Sequence, residues 1–151
     1  MSQSLARLWI HLIFSTKDRY PFLTDKSVRS DMHAYLATVL RSQDCETIIV
    51  GGVEDHVHAL FALSKNHSLA DVIQAIKRTS SSWVKGLASN LRKFYWQRGY
   101  GAFSIGQSQI EEVTRYIERQ EEHHQRVSFQ DEYRLFLEKY RVEYDERYVW
   151  D

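Results

Sequence analysis

The order of apolar patterns along the chain constrains its fold more than any other feature. Leu8–Phe14 is rich in aromatic and β-branched residues, which is typical of a central β-strand. Thr47–Val50 and His56–Leu63 have the same character, and the Gly51-Gly52 pair between them predicts a tight turn that joins two paired strands. A fourth strand, less regular and interrupted by glycine, is predicted over Phe94–Ile105.

Two segments between these strands have helical periodicity. After Pro21, apolar residues recur along one helical stripe, at Val28, Met32, Tyr35, Leu36, Val39 and Leu40. A second stripe begins after Ser68, which we expect to cap the helix, with Asp71 three positions later. The order is therefore βαββαβ, which predicts an α+β fold of the ferredoxin-like type, an antiparallel sheet with helices on one face.

Two further helices are predicted after the sheet. Ser108 with Glu111 forms one potential capping box, and Ser128 with Asp131 forms another ahead of an apolar stripe. A chain of this length suits one compact domain. We therefore expect residues 1–151 to form a single domain, with residues 128–151 as a C-terminal helical extension.

The formal net charge of zero hides a strong asymmetry along the chain. Residues 1–64 carry 6 basic and 7 acidic groups, residues 65–110 carry 7 and 1, and residues 111–151 carry 7 and 12. The basic middle segment predicts a local phosphate-binding surface, although solvated helix faces would give the same pattern. The candidate DNA contacts are Lys77, Arg78, Lys85, Arg92, Lys93 and Arg98.

Cysteine content and hydropathy indicate the compartment. Cys45 is the single cysteine and cannot close an intramolecular disulfide, so the sequence gives no sign of an oxidising environment. The apolar run near the start is too short to span a bilayer, and no signal-peptide cleavage pattern follows it. We expect a cytoplasmic protein that does not enter a membrane.

Two pairs of residues are candidates for chemistry. His56 and His58 lie two apart on a predicted strand, so both imidazoles face one side and can bind one metal ion. Tyr116 and Gln120 lie four apart and share one helix face. Each pair is also compatible with ordinary packing, in which a histidine forms a hydrogen bond at a strand edge and a tyrosine packs beside a surface glutamine.

The adjacent His123 and His124 are a rival metal cluster. Consecutive helical positions diverge by about 100°, so only one of the two rings is expected to join a shared site. The sequence contains no Gly-rich phosphate loop, Cys-x-x-Cys zinc spacing or Gly-x-Ser-x-Gly nucleophile elbow, which removes the usual support for several large enzyme classes.

Three segments, Gly51–His58, Tyr95–Ile105 and Tyr116–His124, occur in an order that resembles one known family. They resemble the single-tyrosine HUH transposases of bacterial insertion sequences, the IS200/IS605 type, which includes the transposases associated with repetitive extragenic palindromes (REP). The resemblance begins at His11–Thr16 and covers nearly the whole chain. The ordered combination is far more specific than any one of the motifs.

The resemblance implies a role for each candidate residue. In that family the His-hydrophobic-His motif and a helical glutamine bind a divalent metal, here Mg²⁺ or Mn²⁺ at His56, His58 and Gln120. The tyrosine one helical turn before the glutamine is the nucleophile, which implies Tyr116. The implied reaction is the cleavage and rejoining of single-stranded DNA at hairpin-flanked element ends through a 5′-phosphotyrosine.

The resemblance also implies partners. Family members are typically dimers in which the tyrosine helix of one subunit completes the histidine site of the other, so a homodimer is implied here. For hairpin and single-strand binding, the candidate aromatic contacts are Phe94, Tyr95, Trp96 and Tyr100, half of which we expect to pack in the core. The acidic end, Glu138–Asp151, departs from the core family pattern and would pack on a partner or restrict access to the site.

Two other functions stay open from the sequence. A non-catalytic RNA- or DNA-binding module could use the same fold, since ferredoxin-like sheets also bind single strands by base stacking. A metal-dependent nuclease using His56, His58 and His124 with an activated water would nick DNA without a covalent adduct. In that enzyme Tyr116 would be dispensable.

Overall fold

A computed structural model of the protein describes residues 2–151 and contains the strands and helices in the predicted order. The strands are β1 (Trp9–Ser15), β2 (Thr47–Gly52), β3 (His56–Ala62) and β4 (Gly101–Ile105). The helices are α1 (Lys26–Ser42), α2 (Leu69–Lys85), α3 (Ile110–Glu118), α4 (Gln120–His123) and α5 (Phe129–Lys139). None of the helices within residues 2–151 has both the length and the hydropathy that crossing a bilayer requires.

The four strands form one sheet in the order β2-β3-β1-β4, and every neighbouring pair is antiparallel. The predicted ferredoxin-like α+β fold is thereby confirmed. The central strands β1 and β3 pair along their whole length, from Trp9 opposite Ala62 to Ser15 opposite His56. Because side chains alternate along each strand, this register decides which residues face which side of the sheet.

Helices cover both faces of the sheet. On one face α1 and α2 pack over Leu12, Phe14, Val57 and Phe61, which lie in the largest apolar cluster. The opposite face is covered by the C-terminal helices, in two smaller clusters. One contains Trp9, Leu60, Ile105 and Ile117, and the other contains Ile13, Phe103, Phe129, Tyr133 and Leu137. The even-numbered residues of β3 therefore lie beneath the C-terminal helices.

Helix starts follow the predicted caps at two of three positions. The Ser68 side chain accepts a hydrogen bond from the Asp71 amide (3.1 Å), and Ser128 accepts one from the Asp131 amide (3.2 Å). The capping box predicted at Ser108 is wrong. A 3₁₀ turn occupies residues 107–109, and Gln109 Oε1 instead accepts from the Gly106 amide (3.2 Å).

The turn predicted at Gly51-Gly52 is also displaced. Both glycines belong to β2, where they pair with His58 and Val57, and the turn follows at residues 53–55. Gly52 has φ +149°, and a Cβ there would lie 2.2 Å from the His56 carbonyl oxygen. The glycines are needed because the backbone is crowded, not because they form the turn.

The acidic C-terminal residues fold back on their own chain. After α5, the Trp150 ring lies 4.9 Å from the Arg134 guanidinium and 5.9 Å from the Tyr133 ring. The Gly99 amide donates to the Asp151 carbonyl (3.0 Å). The assignment of residues 1–151 to one domain, with 128–151 as an extension, stays a prediction.

Candidate metal and tyrosine site

His56 and His58 lie on β3 with both side chains completely buried. They pair with Ser15 and Ile13 of β1, and both face the C-terminal helices, while Val57 between them lies in the main core. The expected placement of the two imidazoles on one side of the strand is therefore found. The sheet fixes their separation, since their rings are 5.3 Å apart.

A third imidazole, that of His124, joins them, and all three rings are held in the same way. His56 Nδ1 lies 2.7 Å from Asp55 Oδ1, and His124 Nδ1 lies 2.7 Å from the Val127 carbonyl. His58 Nδ1 lies 2.9 Å from His11 Nε2. A hydrogen bond at Nδ1 fixes the tautomer and leaves the Nε2 lone pair free, which is how metal-binding histidines are oriented in proteins.

The three Nε2 atoms converge on the carboxylate of Glu132 from α5. His56 Nε2 is 3.0 Å from His124 Nε2, and Glu132 Oε1 is 2.9 Å from His58 Nε2 and 3.4 Å from His56 Nε2. One donor atom from each of the four residues lies within 4.8 Å of the others. Ligands about 2.1 Å from one ion are roughly 3 Å apart, so the donor set fits a divalent metal.

Gln120 lies in the same cluster, 1% exposed. Its Oε1 is 2.9 Å from His124 Nε2 and 3.2 Å from His56 Nε2, while its Nε2 donates to Glu132 Oε2 (3.2 Å). Arg119 has non-helical dihedrals and separates α3 from α4, so Gln120 begins a new helical turn. The structure thus brings Gln120 together with both predicted histidines.

Tyr116, in the last turns of α3, lies at the edge of this cluster. Its hydroxyl donates a hydrogen bond to Glu132, and His123 Nε2 lies 3.1 Å from the same hydroxyl oxygen. The rings of Tyr116 and His58 are 5.8 Å apart. Burial and the adjacent Glu132 carboxylate raise the pKa of Tyr116, so the phenol is protonated at neutral pH.

One negative charge is shared among the buried imidazoles. Burial alone would raise the pKa of Glu132, but the facing His58, His124 and His56 outweigh it and hold that pKa well below its usual range. Burial would lower the pKa of His56, yet hydrogen bonds to Asp55 and Glu132 raise it to about 9. Burial lowers the pKa of His58. The cluster therefore favours one added positive charge, which a proton or a metal ion can supply.

Sequence reasoning missed Glu132 and left His124 as an alternative. Glu132 is 1% exposed and lies between Phe129 and Phe136 on the inward face of α5. An acidic residue within an apolar helical stripe was the signal that could have revealed it. The expectation that only one of the adjacent histidines joins the cluster agrees with this geometry, since His124 does and His123 contacts Tyr116.

Three arginines lie beside the tyrosine. Arg115, Arg119 and Arg126 line a groove of about 670 Å³ together with Tyr116 and His123. All three arginines are exposed. They escaped the sequence analysis because their segment carries a net negative charge. Glu112 and Glu122 line the same groove, so the lining beside the phenol is mixed, with three basic and two acidic side chains.

The six basic residues predicted to contact DNA lie on and after α2, on the other face of the sheet. Arg78, Arg92, Lys93 and Arg98 are exposed. Lys77 Nζ donates to the backbone carbonyls of residues 97, 98 and 99, and Lys85 Nζ lies 4.0 Å from the Tyr95 ring centre. Of the four candidate aromatic residues, two are buried and two are exposed, namely Phe94 and Trp96 against Tyr95 and Tyr100.

Comparison with known proteins decides the family. The sequence profile described as "Transposase IS200 like" matches residues 4–120, which include all of β1–β4 and the helices as far as Gln120. The chain belongs to the IS200-like transposase family. No curated protein matches this transposase in a sequence comparison.

Solved structures of similar fold are also transposases. The IS200-like chain resembles a crystal structure described as that of a transposase from Deinococcus radiodurans R1, with TM-score 0.63, 22% identity, and coverage of 80% of this chain and 98% of the other. It also resembles a REP-associated tyrosine transposase bound to a REP hairpin, with TM-score 0.58, 16% identity, and coverage of 84% and 76%. At these identities the likeness is one of fold.

Proposed function

We propose that this IS200-like transposase cleaves and rejoins single-stranded DNA at hairpin-flanked ends through a covalent 5′-phosphotyrosine on Tyr116. One observation carries the proposal. The Tyr116 hydroxyl donates to Glu132, whose other carboxylate oxygen faces the imidazoles of His58 and His56. A phenol this close to a candidate metal cluster, in a chain of this family, supports attack by Tyr116 on a phosphate bound there.

The metal would be held by His56, His58 and Gln120, as the family resemblance implies, with His124 and Glu132 as further ligands. A divalent ion there supplies Lewis acidity toward the scissile phosphate. Of the two expected ions, the donor set favours Mn²⁺, because Mg²⁺ prefers an octahedral shell of oxygen atoms while imidazole is a ligand of transition metals.

In the cleavage step the Tyr116 oxygen bonds to phosphorus and the bond from phosphorus to the 3′-oxygen breaks. The phenol proton passes to His123, whose Nε2 the hydroxyl contacts, and the departing 3′-oxygen takes a proton from water to become a hydroxyl. In the reverse step a 3′-hydroxyl attacks the phosphotyrosine. The phosphodiester forms again without ATP, and the phenol is restored.

Two surfaces of the protein are suited to bind DNA. We propose that the single strand reaches Tyr116 along the groove of Arg115, Arg119 and Arg126, whose charges suit successive phosphates. The hairpin stem would contact the basic surface on and after α2, which includes Arg78 and Lys93. The REP hairpin bound to the structural relative supports a hairpin as the kind of DNA involved.

A covalent-adduct assay tests the proposal. The protein is incubated with labelled single-stranded hairpin DNA from its own genomic flanks and Mn²⁺ or Mg²⁺, and the products are separated on a denaturing gel. We expect a protein-DNA band that Tyr116→Phe abolishes while DNA binding persists. Tyr148→Phe, at an exposed tyrosine, should retain the band.

The same assay separates the other functions. Nicking without a covalent band, unaffected by Tyr116→Phe, would favour a nuclease that uses activated water. Binding without cleavage at any metal concentration would favour a non-catalytic DNA-binding module. Full adduct formation by the Tyr116→Phe protein would refute the assignment of the nucleophile.

A further inference from the structure

A pocket of about 290 Å³ opens beside Tyr116, between α3 and α5. Val113 and Tyr116 form one wall, Phe136 and Tyr140 form another, and His11 of β1 forms the floor. Pockets for drug-sized ligands are about 300–1,000 Å³, so this one admits a single aromatic group and excludes a duplex. Metal binding requires no such pocket.

Aromatic side chains line the pocket and pack against one another. Phe136 lies edge-to-face with His11 (5.1 Å, 89°) and with Tyr116 (5.7 Å, 77°). Phe103 is stacked on Phe136 at 5.7 Å. Phe136 is partly buried and lines the pocket, so a flat π-system entering there would meet aromatic surface.

The floor contains a polar atom that has no partner. His11 is 1% exposed, and its Nδ1 forms no hydrogen bond within residues 2–151. His11 Nε2 lies 2.9 Å from His58 Nδ1, so the floor of the pocket adjoins the histidine cluster.

The rim of the pocket carries three different types of polar side chain. Gln109, Glu112 and Lys139 line the pocket and are exposed. An amide, a carboxylate and an ammonium together offer both donors and acceptors to the edge of a base. The pocket also shares Glu112, Tyr116 and His123 with the arginine groove. A strand whose phosphates follow the groove can therefore turn one base into the pocket.

We infer that this pocket binds the nucleobase next to the scissile phosphate and sets the base preference of cleavage. The inference rests on the proposed function, since the tyrosine that attacks the phosphate is itself one wall of the pocket. The base stacks against Phe136, and rim side chains distinguish one base from another.

Binding without cleavage tests the stacking. In a Tyr116→Phe background, affinities are measured for dodecamers of dA, dC and dT and for an abasic dodecamer with the same phosphates. We expect Phe136→Leu to weaken the tightest base-bearing strand about tenfold, the effect of losing one stacked base, and to leave the abasic strand unchanged. Phe22→Leu, an aromatic residue on the other face of the sheet, should change neither affinity.

Equal affinities of the Phe136→Leu and Phe22→Leu proteins for the base-bearing strands would overturn the inference, and so would an equal loss for the abasic strand. Base-dependent binding through Phe136 together with no covalent adduct in the wild-type protein would support the pocket and contradict the proposed function. Base-independent binding together with a covalent adduct would support the proposed function and contradict the pocket.

Substitutions of exposed rim residues test the base preference of cleavage and leave the apolar core unchanged. Substrates randomised at the two nucleotides flanking the nick are cleaved by the wild type, Gln109→Ala, Lys139→Ala and the neighbouring control Glu138→Ala, and the adducts are sequenced. We expect a preference of at least about tenfold at one position, reduced severalfold in Gln109→Ala or Lys139→Ala and kept in Glu138→Ala. Unchanged preferences in both rim variants would overturn the assignment.

Discussion

Glu132 connects the two chemical parts of the site through a single side chain. One of its oxygens faces His58 and the other accepts the Tyr116 hydrogen bond. A buried carboxylate is costly unless its charge is balanced, and here the balance comes from imidazoles that a metal would also bind. A substitution that removes only the charge of Glu132 should therefore weaken metal binding and leave the packing of α5 intact.

Glu132→Gln keeps the size of the side chain and removes its charge. We expect Mn²⁺ affinity, measured by calorimetry, to fall at least about 10- to 100-fold, the range seen when even outer-shell partners of a metal site are changed. Glu118→Gln, an exposed glutamate on α3, should bind Mn²⁺ like the wild type. Unaltered affinity in Glu132→Gln would exclude the carboxylate from the ligand set.

The residues of the site differ in how far the sequence predicts them. Strand alternation predicts only that His56 and His58 face the same side of the sheet. Their metal-binding role, and the roles of Tyr116 and Gln120, were implied by the family resemblance. Glu132 was missed because its partners are distant in sequence and glutamate is rarely buried, although its place in the apolar stripe of α5 was a signal. His124 was recognised as a ligand type, but the choice between it and His123 depends on where α4 begins.

At the scale of elements, the position of α3 depends on a glycine in the sheet. A Cβ on Gly51 would lie 2.8 Å from Ile117 Cγ2 and 3.0 Å from the Ile117 carbonyl oxygen. Ile117 is buried and directly follows Tyr116. The helix carrying the phenol therefore rests directly on the backbone of β2, and any side chain at Gly51 pushes it outward.

Gly51→Ala should displace α3 from the sheet. We expect it to lower the free energy of unfolding by about 1–3 kcal/mol, the usual cost of overpacking, and to reduce the rate of adduct formation more than this loss of folded protein explains. Gly86→Ala is the control, since its Cβ would make only an ordinary contact of 3.5 Å with the Trp83 carbonyl. Thermal melts and single-turnover rates measure the two effects.

Equal adduct rates for the Gly51→Ala and Gly86→Ala proteins would contradict the dependence of Tyr116 on this contact.

The Gly51-Gly52 pair also shows a limit of prediction from local sequence. Gly-Gly between two apolar runs predicts a turn, whereas here both glycines extend the strand. Gly51 lies against Ile117 of α3, and Gly52 lies against the backbone of His56 and Val57. Helix caps that depend on adjacent residues, such as Ser68 and Ser128, are predicted correctly.

At the scale of the whole molecule, one chain brings the candidate metal ligands and the candidate nucleophile together. Tyr116, Gln120, His56 and His58 meet without a second subunit. The homodimer implied by the family resemblance stays a prediction, and so does an exchange of tyrosine helices between subunits. The sequence could predict the fold because patterns of strands and helices are local, but it could not predict which chain supplies the tyrosine.

Mixing two inactive variants distinguishes a site formed within one chain from a site shared between subunits. Tyr116→Phe lacks the nucleophile and His56→Ala lacks a metal ligand, so only a site shared between subunits can combine an intact tyrosine with an intact metal cluster. Because the contacts form within one chain, we expect the mixture to give no more covalent adduct than either variant alone. Adduct formation in the mixture, at a yield that rises with protein concentration, would establish the shared site.

A site completed within one chain carries a single phenol and can hold one broken end at a time. In the proposed reaction the released 3′-hydroxyl and the phosphotyrosine would belong to the same complex, so resealing of the original strand would be a first-order event. Joining that end to a different strand needs an encounter between two complexes and is second order. Protein concentration would then set the outcome: dilute protein repairs its own nicks, and abundant protein exchanges ends.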